Sequence, residues 1–185
     1  MIPRILLALS LVSSAAYLVA PGVAWKGLAV SPLALLVFLL RQRLLALALA
    51  LGSLGDVLLD LSPGLFVAGL SAFLVGHLVY TALWIRNWPR PLPLRTRAAP
   101  LGLLFLCVAA LCAWLIPALG GMAVPVVFYM MAITVMAAGA IITGYGWVAL
   151  GAVLFVISDS LIGIHKFRMP IPYRDFLVWT TRKSR

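Results

Sequence analysis

The chain holds four acidic residues, all of them Asp, and two of these, Asp56 and Asp159, stand deep inside long apolar segments. A carboxylate within the hydrocarbon of a bilayer is costly unless it faces a polar cavity or a partner, so such a residue marks a functional site. Two carboxylates in different surroundings can divide labour, one delivering a proton and the other staying ionised as a base or a stabiliser of positive charge. Acid-catalysed hydrolysis through an oxocarbenium-like state suits that pair. A proton-coupled transporter or lipid flippase is the alternative, because it too would carry Asp, His and Tyr within a helical bundle. A purely structural subunit gives no reason to bury two acids.

The other polar residues fall on stripes. Gly52, Asp56 and Asp60 recur at four-residue spacing and share one helix face. Asp60 adjoins Ser62-Pro-Gly64, so it is expected to be solvated or to cap the following helix. Gly69, Phe73, His77 and Tyr80 put an imidazole and a phenol on one face, and Phe155, Asp159, Ile162 and Lys166 form a third stripe with Ser158 beside the acid. Lys166 can reach back toward that carboxylate or outward to a headgroup. Tyr129 lies in an apolar run, and Lys26 begins a helix. Counting about 1.5 Å per residue from the outer helix ends puts Asp56 and Asp159 roughly 8 Å deep and Tyr129 roughly 12 Å deep. His77 comes out deeper, roughly 20 Å below Gly64, as the floor of a cavity or a prop of the bundle.

These residues need a scaffold, and the composition names its solvent. Hydrophobic residues make up 65% of 185, charged residues 10%, and the mean hydropathy is +1.17, which places the chain in a membrane. Apolar stretches cover about 5–20, 27–40, 44–61, 64–85, 98–116, 121–142 and 146–164, each near bilayer-crossing length. They are too long and uniform for barrel strands, leaving an all-α polytopic bundle of about eight transmembrane helices in a single integral membrane domain over 1–185. The eighth, from Pro172 through Phe176-Leu-Val-Trp179, is short. The first stretch, behind Arg4, resembles a signal peptide, but the polytopic body that follows favours an uncleaved helix.

Lys and Arg placement favours a cytoplasmic N-terminus. Arg4, Arg41, Arg43, Arg86, Arg90, Arg95, Arg97, Arg182, Lys183 and Arg185 then fall inside, with Lys26, Lys166, Arg168 and Arg174 outside. The net charge of +10 is dispersed over membrane boundaries, which fits anionic headgroups and excludes a nucleic-acid groove. With no Glu and no His pair at ligand spacing, neither metal nor cofactor is expected. A G-x-S-x-G elbow is absent, and Cys107 and Cys112 read as buried small hydrophobes. Gly69, Gly76, Gly139 and Gly151 permit close helix contacts. Leu54-Gly-Asp-Val-Leu-Leu59 and Ile157-Ser-Asp-Ser-Leu-Ile162 hint at a parallel repeat.

The segments Gly52-Ser-Leu-Gly-Asp-Val-Leu-Leu59, Gly69-Leu-Ser-Ala-Phe-Leu-Val-Gly-His-Leu-Val-Tyr80, Val127-Phe-Tyr-Met130 and Gly151-Ala-Val-Leu-Phe-Val-Ile-Ser-Asp-Ser-Leu161, followed by Lys166-Phe167, resemble the YhhN family of membrane proteins. The similarity runs over about residues 20–168. It implies a membrane hydrolase of about eight helices that cleaves the vinyl ether bond of lysoplasmalogen with water. The products implied are a fatty aldehyde and glycerophosphoethanolamine or glycerophosphocholine. Joined to the residues above, it makes Asp56 and Asp159 the acid–base pair. His77, Tyr80, Tyr129 and Ser158 become hydrogen-bonding groups for glycerol oxygens or water, and Lys26 or Lys166 the phosphate holder. The expected location is a bacterial cytoplasmic membrane. Two departures stand out: Gly27 follows Lys26 where the family usually has Pro, and Thr181-Arg-Lys-Ser-Arg185 replaces the family's further final-helix residues. The eighth helix is therefore expected to be truncated, with activity altered if its missing residues line the pocket.

Overall fold

The computed structural model describes residues 2–20, 22–86 and 93–169. Over these the chain is helical, and no strand occurs among the described residues. Seven α-helices run in order: α1 (Ile2–Val19), α2 (Val23–Leu39), α3 (Arg43–Leu61), α4 (Phe66–Arg86), α5 (Leu94–Leu119), α6 (Ala123–Thr143) and α7 (Gly146–Phe167). They answer to the seven apolar stretches of the sequence. The eighth element falls outside the described residues.

Helices α1, α3, α4 and α7, and the stretch Arg95–Thr143 that holds α5 and α6, are long and apolar enough to cross a membrane. Helix α2 has 17 residues, about 26 Å at 1.5 Å per residue, the short end of the spanning range. Short turns join α2 to α3, α3 to α4, α5 to α6 and α6 to α7, as antiparallel neighbours require. Between α2 and α3 the Arg41 N–H donates to Phe38 O at 2.9 Å and Gln42 N–H to Val37 O at 3.1 Å. This double closure needs a left-handed residue at its apex, and Arg41 takes that role at φ 62°. Gly144 is also left-handed, at φ 78°, between α6 and α7, where its N–H donates to the Ile141 carbonyl at 3.3 Å.

Contacts follow chain order from α1 to α4, then pass from α4 to α6, while α5 and α7 each pack on α6 and on each other. Helix α6 is the hub, with Ala137 and Ala140 fully buried at its centre. The α1–α4 row is tied by side chains: Ser10 Oγ donates to the Ala29 carbonyl, and Ser53 Oγ to the Gly27 carbonyl at 3.1 Å. At the far side, Arg168 Nε donates to the Trp114 carbonyl at 3.0 Å, joining the end of α7 to α5.

Helices α3 and α4 approach so closely that only glycine fits between them. A Cβ on Gly55 would sit 2.5 Å from the Phe73 ring, and one on Gly69 would sit 2.9 Å from Leu59 and 3.1 Å from the Gly55 carbonyl oxygen. Small residues supply this proximity in membranes, where helix association rests on packing rather than on a hydrophobic drive. Gly76 and Gly139 also lie at helix contacts, whereas Gly151 has nothing among the described residues within 4 Å of its would-be Cβ. Because backbone cannot yield as a side chain can, Gly69→Leu is expected to lose about 1–3 kcal/mol of stability. Thermal melting in detergent checks this; an unchanged midpoint would mean that α3 and α4 are not so tightly apposed.

Candidate active site

The close α3–α4 pair presents Asp56, Asp60 and Phe73 to α7, which faces it across an open pocket of about 720 Å³. Its lining includes Asp56 and Asp60 from α3, Phe73 from α4, and Phe155, Ser158, Asp159, Ile162, His165 and Lys166 from α7. Tyr17 and Lys26 close the end made by α1 and α2. The whole α7 stripe anticipated from spacing thus points into one cavity.

Lys26 is the hinge of its charge pattern. Its Nζ lies 3.4 Å from an Asp56 oxygen and 3.2 Å from an Asp60 oxygen. One ammonium is thereby shared between two carboxylates a helical turn apart, which holds both side chains in place. The expectation that Asp60 is a solvated or capping residue is corrected here: the cap is Ser62, whose Oγ accepts from Gly64 N–H at 3.2 Å, and Asp60 turns inward to Lys26.

Asp159 is held differently. The Tyr129 hydroxyl donates to Asp159 Oδ2, and His77 Nε2 lies 3.2 Å from the same hydroxyl. A phenol that donates to Asp159 accepts from the imidazole in the tautomer with its hydrogen on Nε2, so the proton order along this row is tied to the protonation of Asp159. His77 Nδ1 has no hydrogen-bond partner among the described residues. Phe73, Tyr129 and Phe155 surround the imidazole with ring centroids 5.3–6.3 Å away, and His77 is buried to 2% exposure. A hydrogen-bonded row of imidazole, phenol and carboxylate therefore runs from α4 through α6 to α7. Residue counting put His77 too deep for this contact, because it treats helices as upright and level, which helices in bilayers are not.

Tyr80 is not among the pocket-lining residues; its ring stacks on Trp84 at 5.9 Å. Ser158 is exposed within the lining. Lys166 Nζ lies 4.0 Å above the Phe66 ring at the rim, a cation–π contact that leaves the ammonium near the mouth. Spacing did not single out Tyr17 or His165. The first is a lone phenol near the end of α1, level with Lys26, and the second precedes Lys166, so proximity to the two lysines was the available signal.

Behind Asp159 lies a second, apolar cavity of about 70 Å³, between α4, α5, α6 and α7. Leu59, Phe66, Phe73, Asp159 and Ile162 line both spaces. Charged at its mouth, acidic at mid-depth and apolar behind, the arrangement suits an amphiphile with a polar head and a hydrocarbon tail.

An all-helical membrane protein with an acidic, lipid-shaped pocket is thus defined by fold and site. The chain belongs to the YhhN family, whose profile it matches over residues 22–181. It is 36% identical over 133 residues to a protein of Mycobacterium bovis named lysoplasmalogenase, covering 69% of this chain and 51% of that protein. It is 35% identical over 146 residues to the Bos taurus protein named lysoplasmalogenase TMEM86A, covering 72% and 58% respectively, and 34% identical over 146 residues to the Homo sapiens protein of that name, with the same coverage. The chain spans about half the length of these curated relatives. No solved structure matches it.

Proposed function

We propose that this protein hydrolyses the vinyl ether bond of lysoplasmalogen, releasing a fatty aldehyde and glycerophosphoethanolamine or glycerophosphocholine. The observation that carries the reading is the pairing of two unlike carboxylates on one amphiphile-shaped pocket: Asp56 against the Lys26 ammonium, Asp159 against the Tyr129 hydroxyl. The names of the relatives agree with it.

In this reading Asp159 carries the proton and Asp56 remains ionised beside Lys26. Asp159 transfers its proton to the vinyl carbon remote from oxygen, and the π electrons form the new C–H bond. The adjacent carbon becomes an oxocarbenium ion, whose positive charge faces the Asp56 carboxylate. Water adds to that carbon and yields its proton to a carboxylate. Collapse of the hemiacetal breaks its bond to the glycerol oxygen, forms the aldehyde carbonyl and returns a proton to the departing alkoxide. The sum is one water consumed, one aldehyde and one alcohol formed. The first carbons of the alkenyl tail enter the apolar cavity of about 70 Å³ behind Asp159, and Lys166 at the rim takes the phosphate. Because Lys26 is already engaged by two carboxylates, its part is to fix them. Ser158 is a partner for glycerol oxygens or water, and His77 holds Tyr129. The site opens to the face of the membrane opposite a cytoplasmic N-terminus, in a single integral domain.

Tyr129→Phe removes the phenol that orients Asp159 and is expected to lower turnover on the order of 10²-fold while KM changes little. Steady-state kinetics of aldehyde release checks this; a selective rise in KM would make Tyr129 a binding group instead. The reading itself is tested with purified protein in detergent, where no gradient exists, on lysoplasmenylcholine and the matching saturated ether lipid. Aldehyde is expected from the vinyl ether alone. A folded protein that releases none, yet moves the intact lipid across vesicles under a proton gradient, would replace the hydrolase with a transporter.

A further inference from the structure

A second lipid-sized space lies at the other end of the bundle, outside the acidic pocket. It is a groove of about 720 Å³ between α5, the end of α6 and α7. Leu104, Cys107 and Leu111 from α5 and Ala149, Val153 and Val156 from α7 form its apolar walls. Arg97, in the first turn of α5, closes one end. From Arg97 to Leu111 the helix rises about 21 Å, enough for a long hydrocarbon chain to cross the roughly 15 Å of one leaflet.

Arg97 is the anomaly. The neighbouring Arg95 is exposed, but Arg97 is buried to 6% exposure, and its Nε and Nη2 have no hydrogen-bond partner among the described residues. A buried guanidinium without an anion is costly, and its planar donors match phosphate oxygens in pairs. The groove that it closes is apolar along its length and partly open at exposed Leu103, Cys107 and Leu150. A soluble anion would use the guanidinium and leave the groove empty, and a neutral chain would fill the groove and leave the guanidinium unpaired. A phospholipid satisfies both, and an anionic one does so without bringing a headgroup cation beside the guanidinium.

We propose that this groove is a binding site for an anionic phospholipid of the bilayer, its phosphate on Arg97 and one acyl chain between α5 and α7. Helix α5 starts at the membrane face opposite the one where Lys26 and Lys166 lie, so the bound lipid belongs to the other leaflet from the substrate. Its chain ends at Val108, Leu111, Val156 and Ser160, which also line the apolar cavity behind Asp159. The occupant therefore forms the far wall of that cavity.

The test offers the purified full chain equimolar phosphatidylglycerol and phosphatidylcholine in mixed micelles and counts bound lipids by native mass spectrometry. Both lipids carry a phosphate, but only the first keeps a net negative charge. Wild type and Arg95→Gln are expected to prefer phosphatidylglycerol on the order of tenfold, and Arg97→Gln to show no preference. Val153→Trp, which fills the groove at a distance from the guanidinium, is expected to lose the bound lipid while Arg97 remains. Arg97→Gln should melt no lower than wild type in lipid-free detergent, because it removes an unpaired buried charge. Selectivity retained in Arg97→Gln would assign it to exposed basic residues and overturn the site. Full displacement of phosphatidylglycerol by inorganic phosphate, or binding unchanged in Val153→Trp, would overturn the lipid as occupant.

Discussion

Asp159→Asn is expected to abolish aldehyde release, by on the order of 10³-fold or more, while the protein stays folded. The amide is nearly isosteric with the acid, and its oxygen still accepts the Tyr129 hydroxyl that Asp159 Oδ2 accepts now. What it cannot do is give up a proton to carbon. The loss should fall on kcat, since the tail cavity and the rim lysine are untouched, and substrate binding by the variant should be measurable at near wild-type affinity. Single-turnover assays with a lysoplasmenyl lipid, beside an equilibrium binding measurement, separate the two. Turnover reduced only a few-fold would move the proton-donor role away from Asp159.

The second large effect concerns Lys26. Its ammonium serves Asp56 at 3.4 Å and Asp60 at 3.2 Å, with all three side chains less than a quarter exposed. Lys26→Met takes the shared ammonium away from two carboxylates one turn apart on α3, and breaking such a partly buried arrangement is expected to cost about 3 kcal/mol. Because most of the cost is the stranded charge, Lys26→Met combined with Asp56→Asn and Asp60→Asn should recover much of the melting temperature and none of the turnover. Lys26→Arg should keep stability and part of the activity. Thermal melts and aldehyde assays on the single, triple and Arg variants check this as a thermodynamic cycle. Equal melting of wild type and Lys26→Met would show that the cluster contributes nothing to the fold.

Much of this was legible in the chain itself, where physics acts locally. Long apolar runs under the bilayer constraint leave only helices, and each of the seven stretches became one. Their ends were less readable. Helix α5 starts at Leu94 rather than near 98, because Arg95, Thr96 and Arg97 look like loop residues although they form its first turn. The stripe Phe155, Asp159, Ile162 and Lys166 reached the pocket as spacing implied, since one helix face must look one way.

What was hidden depends on packing between helices. Asp60 stands beside a Ser-Pro-Gly turn and so reads as solvated; only the approach of α2 to α3 brings Lys26 to it. Likewise Tyr80 shares a sequence stripe with His77, yet His77 meets Tyr129 and Tyr80 meets Trp84, because one stripe can face two different neighbours along a long helix. Arg97 reads as another loop cation, and nothing in its local sequence says that it turns into the bundle while Arg95 turns out.

Proton delivery from the protein to the vinyl carbon is the centre of this mechanism, and isotope placement tests it most directly. Turnover of a lysoplasmenyl lipid in D₂O, with the aldehyde trapped at once by reduction, is expected to leave a single deuterium on the carbon next to the former carbonyl carbon, and turnover in H₂¹⁸O to put the label in the aldehyde and none in the glycerol. An aldehyde without deuterium at that carbon, or label in the glycerol oxygen, would contradict it.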